Sequence, residues 1–191
     1  MELNHAMIDC ETLGTDPGDV VLTVGVVKFH PCHRQNVEQL KSQSRLFVFD
    51  LEESLKKGFS VSASTLRWWM QQSQRARDKA FNNGGLDKLP GSIEDQLMAM
   101  SAFLTYSTSV WANGANFDPG MLQAYYNKYN EPTPWGYSDI RCARTMYKNF
   151  PGSKHEAFAD NLTAHDPVDD CIYQILKLYN IAEKHDNIAW N

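Results

Sequence analysis

Two β-rich runs open this chain, and the turn between them restricts the topologies that the rest can adopt. Residues 5–11 (HAMIDCE) and 19–29 (DVVLTVGVVKF) are rich in β-branched side chains and predict two strands. The segment Gly14-Thr15-Asp16-Pro17-Gly18 predicts a tight connection between them. Residues 45–50 (RLFVFD) predict a third strand, so the sequence indicates an antiparallel meander at the start of the fold.

Helical patterns take over after residue 50. Leu66, Trp69 and Met70 recur at helical spacing, with Ser64 as a candidate cap. Ser92 begins another helix, because the residues that follow it fit a capping pattern ahead of an apolar stripe.

Strands and helices alternate in the second half of the chain. Residues 108–113 (TSVWAN) predict a buried strand, followed by a helix over about 119–130. Residues 137–140 (YSDI) predict a last strand, and a final helix begins at Pro167. A meander followed by this alternation predicts an α/β fold, a mixed sheet flanked by helices in a single domain over residues 1–191.

The composition alone does not point to a nucleic-acid partner. The formal net charge of −5 argues against a broad basic face that grips long nucleic acid. It leaves open an enzyme that holds only a strand end, because bound metal ions can supply positive charge locally. With 191 residues, 42% of them hydrophobic, the chain can bury one substantial core and falls short of a comfortable two-domain length.

Several features predict a cytoplasmic protein without a membrane segment. The longest apolar run, 20–27, is too short to cross a bilayer, and the first five residues show no secretory signal. The four cysteines are widely spread and form no C-x-x-C pair. The cluster His30-Pro31-Cys32-His33 is too short to wrap one tetrahedral zinc ion easily, so a polar loop is the favoured interpretation.

Asp9 and Glu11 lie in the first predicted strand, two positions apart. Alternate side chains of a strand share a face, so both carboxylates point the same way. Two such groups leaving an apolar strand repel one another unless a cation lies between them, and Mg²⁺ or Mn²⁺ prefers oxygen ligands. The alternative is that both groups face solvent at a strand end, which is the common situation for an isolated D-x-E.

Two further acidic positions admit structural as well as functional interpretations. Asp118 precedes Pro119 and could simply cap the helix that begins there. In the segment 165–170 (HDPVDD), Asp166 is a candidate cap of the last helix, and Asp169 and Asp170 fall in its first turn, where the helix dipole favours negative charge. A structural account therefore covers all three aspartates of this segment but does not explain His165.

The order of these motifs resembles the DEDDh branch of the DEDD exonuclease superfamily. Asp9-Cys10-Glu11-Thr12-Leu13-Gly14 matches the D-x-E-T-x-G motif, and Asn113-Gly114-Ala115-Asn116-Phe117-Asp118 is close to the second motif. A histidine five residues before an aspartate selects His165 and Asp170 as the third. The stretches 65–69 and 137–141 look like the group that includes ribonuclease AS and the phage DexA-type exonuclease.

The resemblance implies an RNase H-like fold and a 3′–5′ exonuclease that releases nucleoside 5′-monophosphates from a single-stranded 3′ end. It implies that Asp9, Glu11, Asp118 and Asp170 hold two Mg²⁺ or Mn²⁺ ions, with Asp9 bridging them. It also implies that His165 accepts the proton of the attacking water, a task suited to an imidazole that titrates near neutral pH.

Contacts to substrate are predicted at positions beside these motifs. Leu13 would wedge against the terminal base, and Trp68 or Trp69 would stack on a base, although the helical pattern places at least one of these tryptophans in the core. The full set of predicted substrate contacts is Thr12, Leu13, Trp68, Trp69, Asn113 and Arg141.

Three alternatives stay open on sequence grounds. RNA is favoured slightly over single-stranded DNA, because of the ribonuclease AS resemblance, but no residue visibly tests for a 2′-hydroxyl. The chain could also be a catalytically silent nucleic-acid-binding module, or a structural protein whose acids are caps and surface residues. A homodimer is suggested by dimeric relatives and by the tryptophan-rich region 65–73.

Overall fold

Five strands form one mixed sheet in the computed structural model, which describes residues 3–81, 91–150, 162–185, 188 and 190. The strands are arranged in the order β3-β2-β1-β4-β5. Their bounds are β1 His5–Thr12, β2 Val21–Phe29, β3 Ser44–Val48, β4 Ser109–Ala112 and β5 Ile140–Cys142. β1 pairs antiparallel with β2, which pairs antiparallel with β3, and this confirms the predicted meander. β4 pairs parallel with both β1 and β5, so the sheet is mixed, as predicted.

Helices cover both faces of the sheet, and each face has its own apolar core. Ala6, Ile8 and Cys10 of β1 belong to one core, which includes residues of the helices in the first two thirds of the chain. Met7 points to the opposite face and packs in a second core with the C-terminal helix. The helices among the described residues are α1 Val37–Ser42, α2 Leu51–Lys56, α3 Ala63–Gln71, α4 Gln74–Phe81, α5 Ile93–Leu104, α6 Asp118–Tyr129, α7 Ala143–Asn149 and α8 Pro167–Ala182.

The structure corrects several predicted element boundaries. The helix α1, with a capping box at Asn36, was not predicted, because six residues are too few to show a helical period. Ser62, not Ser64, precedes α3. The last strand covers Ile140–Cys142 and not 137–140. The capping box at Ser92 is confirmed.

No helix in the described part of the chain combines the length and the apolar character that a bilayer-spanning helix requires.

Candidate active site

Asp9 and Glu11 lie at the end of β1, on the face that α8 covers. Alternate residues of a strand share a face, so both side chains lie on the same face of β1 as Met7, which packs against α8 in the second core. Burial, followed by the charges of Asp118, Glu11 and Asp170, raises the pKa of Asp9 well above its ordinary value. Burial and the charges of Asp170, Asp118 and Asp166 do the same to the pKa of Glu11. The predicted pair therefore faces a buried acidic cluster, not open solvent.

Asp118 reaches this cluster from the start of α6. The parallel pairing of β4 with β1 brings the loop after β4 to the same sheet edge at which β1 ends. Asp118 Oδ1 accepts a hydrogen bond from the Cys10 backbone N–H at 3.0 Å. Phe117 occupies the position before the helix, so the interpretation of Asp118 as a side-chain cap is wrong. Burial raises the pKa of Asp118 to about 7, despite that hydrogen bond and the nearby Arg144 charge.

His165 and Asp170 flank the beginning of α8. His165 adopts a left-handed backbone conformation, with φ of 62°. Its backbone N–H donates to Asp170 Oδ2 at 2.9 Å. Asp166 caps the helix, as predicted, by accepting hydrogen bonds from the N–H groups of Val168 and Asp169.

Three of the predicted residues meet closely enough to share one ion. Glu11, His165 and Asp170 each offer a ligand atom, and these atoms all lie within 4.8 Å of one another. Burial raises the pKa of Asp170 to about 7 and lowers the pKa of His165, which keeps the imidazole neutral near pH 7. Electrostatic coupling joins Asp9 and Asp118 to the same cluster. The structure therefore gathers all five residues of the predicted set from the front, middle and tail of the chain.

A cavity of ≈ 420 Å³ opens beside Glu11 and is largely apolar. Trp68 lines it, is 42% exposed, and lies edge-on to His165 with ring centroids 5.0 Å apart. Trp69 also lines it but is only 2% exposed, and its indole N–H donates to the Thr12 backbone oxygen at 2.9 Å. Trp68 is thus the tryptophan with a free face, and Trp69 belongs to the core.

The other predicted substrate contacts divide between the cavity and its surroundings. Thr12 lines the cavity. Leu13 packs in the core at 2% exposure, so its side chain is not available to a terminal base, contrary to the predicted wedge. Asn113 accepts a hydrogen bond on its backbone oxygen from Arg144, and Arg141 donates to the Ser138 and Ile140 carbonyls. The local contacts of Asn113 and Arg141 are to protein backbone.

Sequence analysis missed Gln174, whose side-chain amide donates to Asp9 Oδ1 at 2.7 Å. Its position, four residues after Asp170, is the signal that could have found it, since that spacing puts both residues on one helix face. Lys41 and Lys79 were also missed. They form ion pairs with Asp169 at 3.3 Å and Asp166 at 2.9 Å, and so hold the turn that carries His165.

The family of the chain follows from a match over almost its whole length. A model of the 3′-5′ exoribonuclease Rv2179c-like domain matches residues 4–182. This chain belongs to that family. The fold is similar to that of the nuclease domain of 3′hExo, a DEDDh family member, bound to rAMP: the TM-score is 0.52 at 12% identity, covering 98% of this chain and 95% of that one. No curated protein matches the sequence.

The structural match confirms the predicted RNase H-like mixed fold. The family match confirms the predicted 3′–5′ exonuclease class.

Proposed function

We propose that this protein is a two-metal-ion 3′–5′ exoribonuclease that releases nucleoside 5′-monophosphates from single-stranded RNA. The observation that carries the proposal is the convergence of Glu11, His165 and Asp170, whose ligand atoms lie within 4.8 Å of one another inside a buried acidic cluster.

The donor set fits divalent cations. Asp9, Glu11, Asp118 and Asp170 offer carboxylate oxygens, which are the ligands that Mg²⁺ and Mn²⁺ prefer. Burial raises the pKa values of all four, and the charges of neighbouring carboxylates add to this for Asp9, Glu11 and Asp170, so the cluster gains by taking up positive charge. Two Mg²⁺ or Mn²⁺ ions bound by these residues would supply positive charge to the phosphodiester and to the attacking water.

His165 is suited to accept the proton of that water. Its lowered pKa leaves a neutral imidazole at physiological pH, the form that can act as a base. The left-handed backbone at His165 and the hydrogen bond from its N–H to Asp170 fix the imidazole beside the acidic cluster.

The cavity beside Glu11 suits the base of a strand end. Trp68 offers an exposed ring face, and stacking of a base on an aromatic side chain contributes about 1–3 kcal/mol. RNA is proposed over DNA because the matching family is described as exoribonuclease, and because the structurally similar nuclease domain was bound to rAMP. Digestion of single-stranded DNA at the same site is the alternative.

We also propose that the protein is cytoplasmic and forms a homodimer. The four cysteines are free, which suits a reducing cytoplasm. Leu66 and Met70 of α3 are 39% and 77% exposed, and this apolar surface supports a homodimer. Sedimentation velocity of the wild type and a Met70→Lys variant tests the dimer: a monomeric wild type would reject it.

The deciding experiment is digestion of end-labelled RNA and DNA oligonucleotides of matched sequence, including an adenylate-rich one, with Mg²⁺, with Mn²⁺ and with a chelator. We expect stepwise shortening from the 3′ end, nucleoside 5′-monophosphate products and complete dependence on the divalent ion. DNA cleaved as fast as RNA would favour the exodeoxyribonuclease alternative. If the protein binds the oligonucleotides but neither hydrolyses them nor binds Mn²⁺, the result would favour the catalytically silent binding module.

A further inference from the structure

Gln174 is a buried polar residue of α8 that the proposed reaction does not use directly. It is 6% exposed and lies one helical turn after Asp170. Its Nε2 donates to Asp9 Oδ1 at 2.7 Å, so the amide reaches across the interface between α8 and β1 to a carboxylate at the centre of the acidic cluster.

The other end of the same amide has no partner in the part of the chain that the structure describes. Gln174 Oε1 is there a buried acceptor without a hydrogen bond. Asp9 offers only acceptor oxygens when ionised, so the amide nitrogen must face it and the orphaned atom must be the oxygen. A buried polar atom left without a partner costs folding stability, and an apolar side chain of similar size would avoid that cost. The needs of the core therefore do not explain a glutamine here.

The placement of Gln174 is fixed by its own neighbours. The Tyr147 hydroxyl of α7 donates to the Gln174 backbone oxygen at 3.0 Å, which ties this turn of α8 to the adjacent helix. The neighbouring Cys171 thiol contacts the Met7 and Gly25 carbonyls of the sheet at 3.5 Å and 3.4 Å. The amide thus projects from a rigid part of the helix.

We propose that Gln174 is a positioning residue that holds the Asp9 carboxylate in the orientation in which it binds divalent ions. With Oδ1 engaged by the amide, the Asp9 side chain is restricted in rotation before an ion arrives, so less side-chain entropy is lost on binding. A residue that hydrogen-bonds a ligating carboxylate acts in this way in metal sites generally. The inference rests on the proposed function, because it assumes that Asp9 is a ligand.

The test compares wild-type protein with Gln174→Met, which keeps the length of the side chain and removes the donor. Mn²⁺ titration by calorimetry should show affinity reduced about 10–100-fold, the range found when a residue that supports a metal ligand is changed. In steady state, kcat should fall while KM for the oligonucleotide stays unchanged. The metal-free variant should unfold at about the same temperature as metal-free wild type, because removal of the orphaned Gln174 Oε1 offsets the loss of the donor to Asp9 Oδ1.

Gln123→Met is the matched control, since Gln123 is exposed on α6 and bonds only to Asn127 among the contacts described. It should leave Mn²⁺ affinity unchanged. If Gln174→Met does not fold, Gln174→Asn, whose amide is one methylene too short, should show the same loss of affinity. Equal affinity of wild type and a folded Gln174 variant overturns the inference, as does a lower unfolding temperature with unchanged affinity. A wild type that takes up no Mn²⁺ overturns the proposed function itself, and this inference with it.

Discussion

Adjacent residues of the third motif have separate surroundings, and these decide which of them belongs to the site. Asp169 accepts a hydrogen bond from the Thr163 N–H at 2.9 Å and pairs with Lys41. Asp170 accepts only from the His165 N–H among the described contacts and faces Glu11. The oxygens of Asp169 are thus engaged in holding the turn, whereas Asp170 has oxygen lone pairs left for a cation.

Asp170→Asn should therefore abolish hydrolysis, and Asp169→Asn should not. The first change removes a charge from the proposed ligand set, so we expect loss of activity by several orders of magnitude with the fold preserved. The second keeps an acceptor for Thr163 and loses the ion pair between the buried Asp169 carboxylate and the partly exposed Lys41 ammonium, so we expect lower stability with the proposed ligand set intact. Single-turnover digestion of labelled RNA and thermal unfolding measure the two effects. Full activity in Asp170→Asn would reject the assignment.

Protonation of His165 should cause the loss of activity on the acid side of the profile of kcat/KM against pH. Burial lowers its pKa, so the neutral, proton-accepting form persists to lower pH than it does for a free histidine, and activity should fall only below about pH 6.5. His165→Asn, which tolerates the left-handed backbone, should lose about 10²–10⁴ in kcat and the acid limb with it.

The measurement is kcat/KM between pH 5 and 8 with Mn²⁺ held at saturation for each pH, which separates the histidine from the titration of the carboxylates. A wild-type limb lying above pH 6.5, or a variant within tenfold of wild type, would contradict the assignment of His165 as the base.

The sequence could predict that the five motif residues converge, because their types and order carry the signal, and their catalytic roles stay predictions. Gln174, Lys41 and Lys79 could not be found in this way, since their roles depend on contacts between elements far apart in the chain. Leu13 is the converse case, a residue that was predicted to contact substrate and does not lie in the cavity. Its place after the motif suggested a substrate contact, but the turn of the chain after β1 sends its side chain into the core.

At the scale of elements, a glycine lets α8 approach the sheet at the site. Gly25 of β2 is paired with Asp9 in the sheet register. A Cβ atom added at Gly25 would lie 2.3 Å from the carbonyl carbon and oxygen of Pro167, the first residue of α8. Those are backbone atoms, so the helix itself would have to move. The short distance between the start of α8 and β1 depends on this position.

Gly25→Ala should accordingly lower both stability and activity. Overpacking of this kind costs about 1–3 kcal/mol. Displacement of α8 would also separate Asp170 from Glu11 and reduce kcat. Gly120→Ala in α6 is the control, because its added Cβ would meet only Pro17 Cγ at 3.7 Å, an ordinary contact. Thermal unfolding and RNA digestion of both variants test this. Wild-type stability in Gly25→Ala would mean that α8 is not seated on the sheet as described.

Element types were more predictable than element limits. β1, β2 and α8 were predicted because each has a long and regular apolar pattern. β5 has three half-buried residues, and its limits come from pairing with β4, which no local pattern records. The six-residue α1 depends on its capping box and on packing of Leu40, again without a full helical period.

At the scale of the whole molecule, the sheet order explains why acids distant in sequence meet. β1 lies in the middle, and the parallel β4 sends its following loop to the edge where β1 ends. The last helix then lies across β1 and β2 with its N-terminus at the same edge. The acidic residues behind the net charge of −5 are therefore unevenly distributed, because four of the carboxylates lie in one buried cluster.

This concentration of acids predicts how the stability of the metal-free protein depends on pH. Asp118 and Asp170 have pKa values of about 7 when folded, against 3.8 ordinarily, and the pKa values of Asp9 and Glu11 are raised as well. Between the ordinary pKa of 3.8 and the folded-state pKa of about 7, these aspartates hold more protons in the folded state than in the unfolded state. The contribution of this cluster to stability should therefore fall as pH rises from about 4 through 7.

Thermal unfolding of chelator-treated protein from pH 4.5 to 8 measures this, and each kcal/mol lost lowers Tm by about 2–4 °C in a chain of this length. Asp170→Asn should flatten the curve, because one of the repelling charges is gone. Mn²⁺ at pH 8 should raise the Tm of wild type more than that of the variant, since only the intact cluster offers the full set of ligands. The same pH dependence of Tm in metal-free wild type and metal-free Asp170→Asn would mean that Asp170 does not belong to a buried cluster of carboxylates.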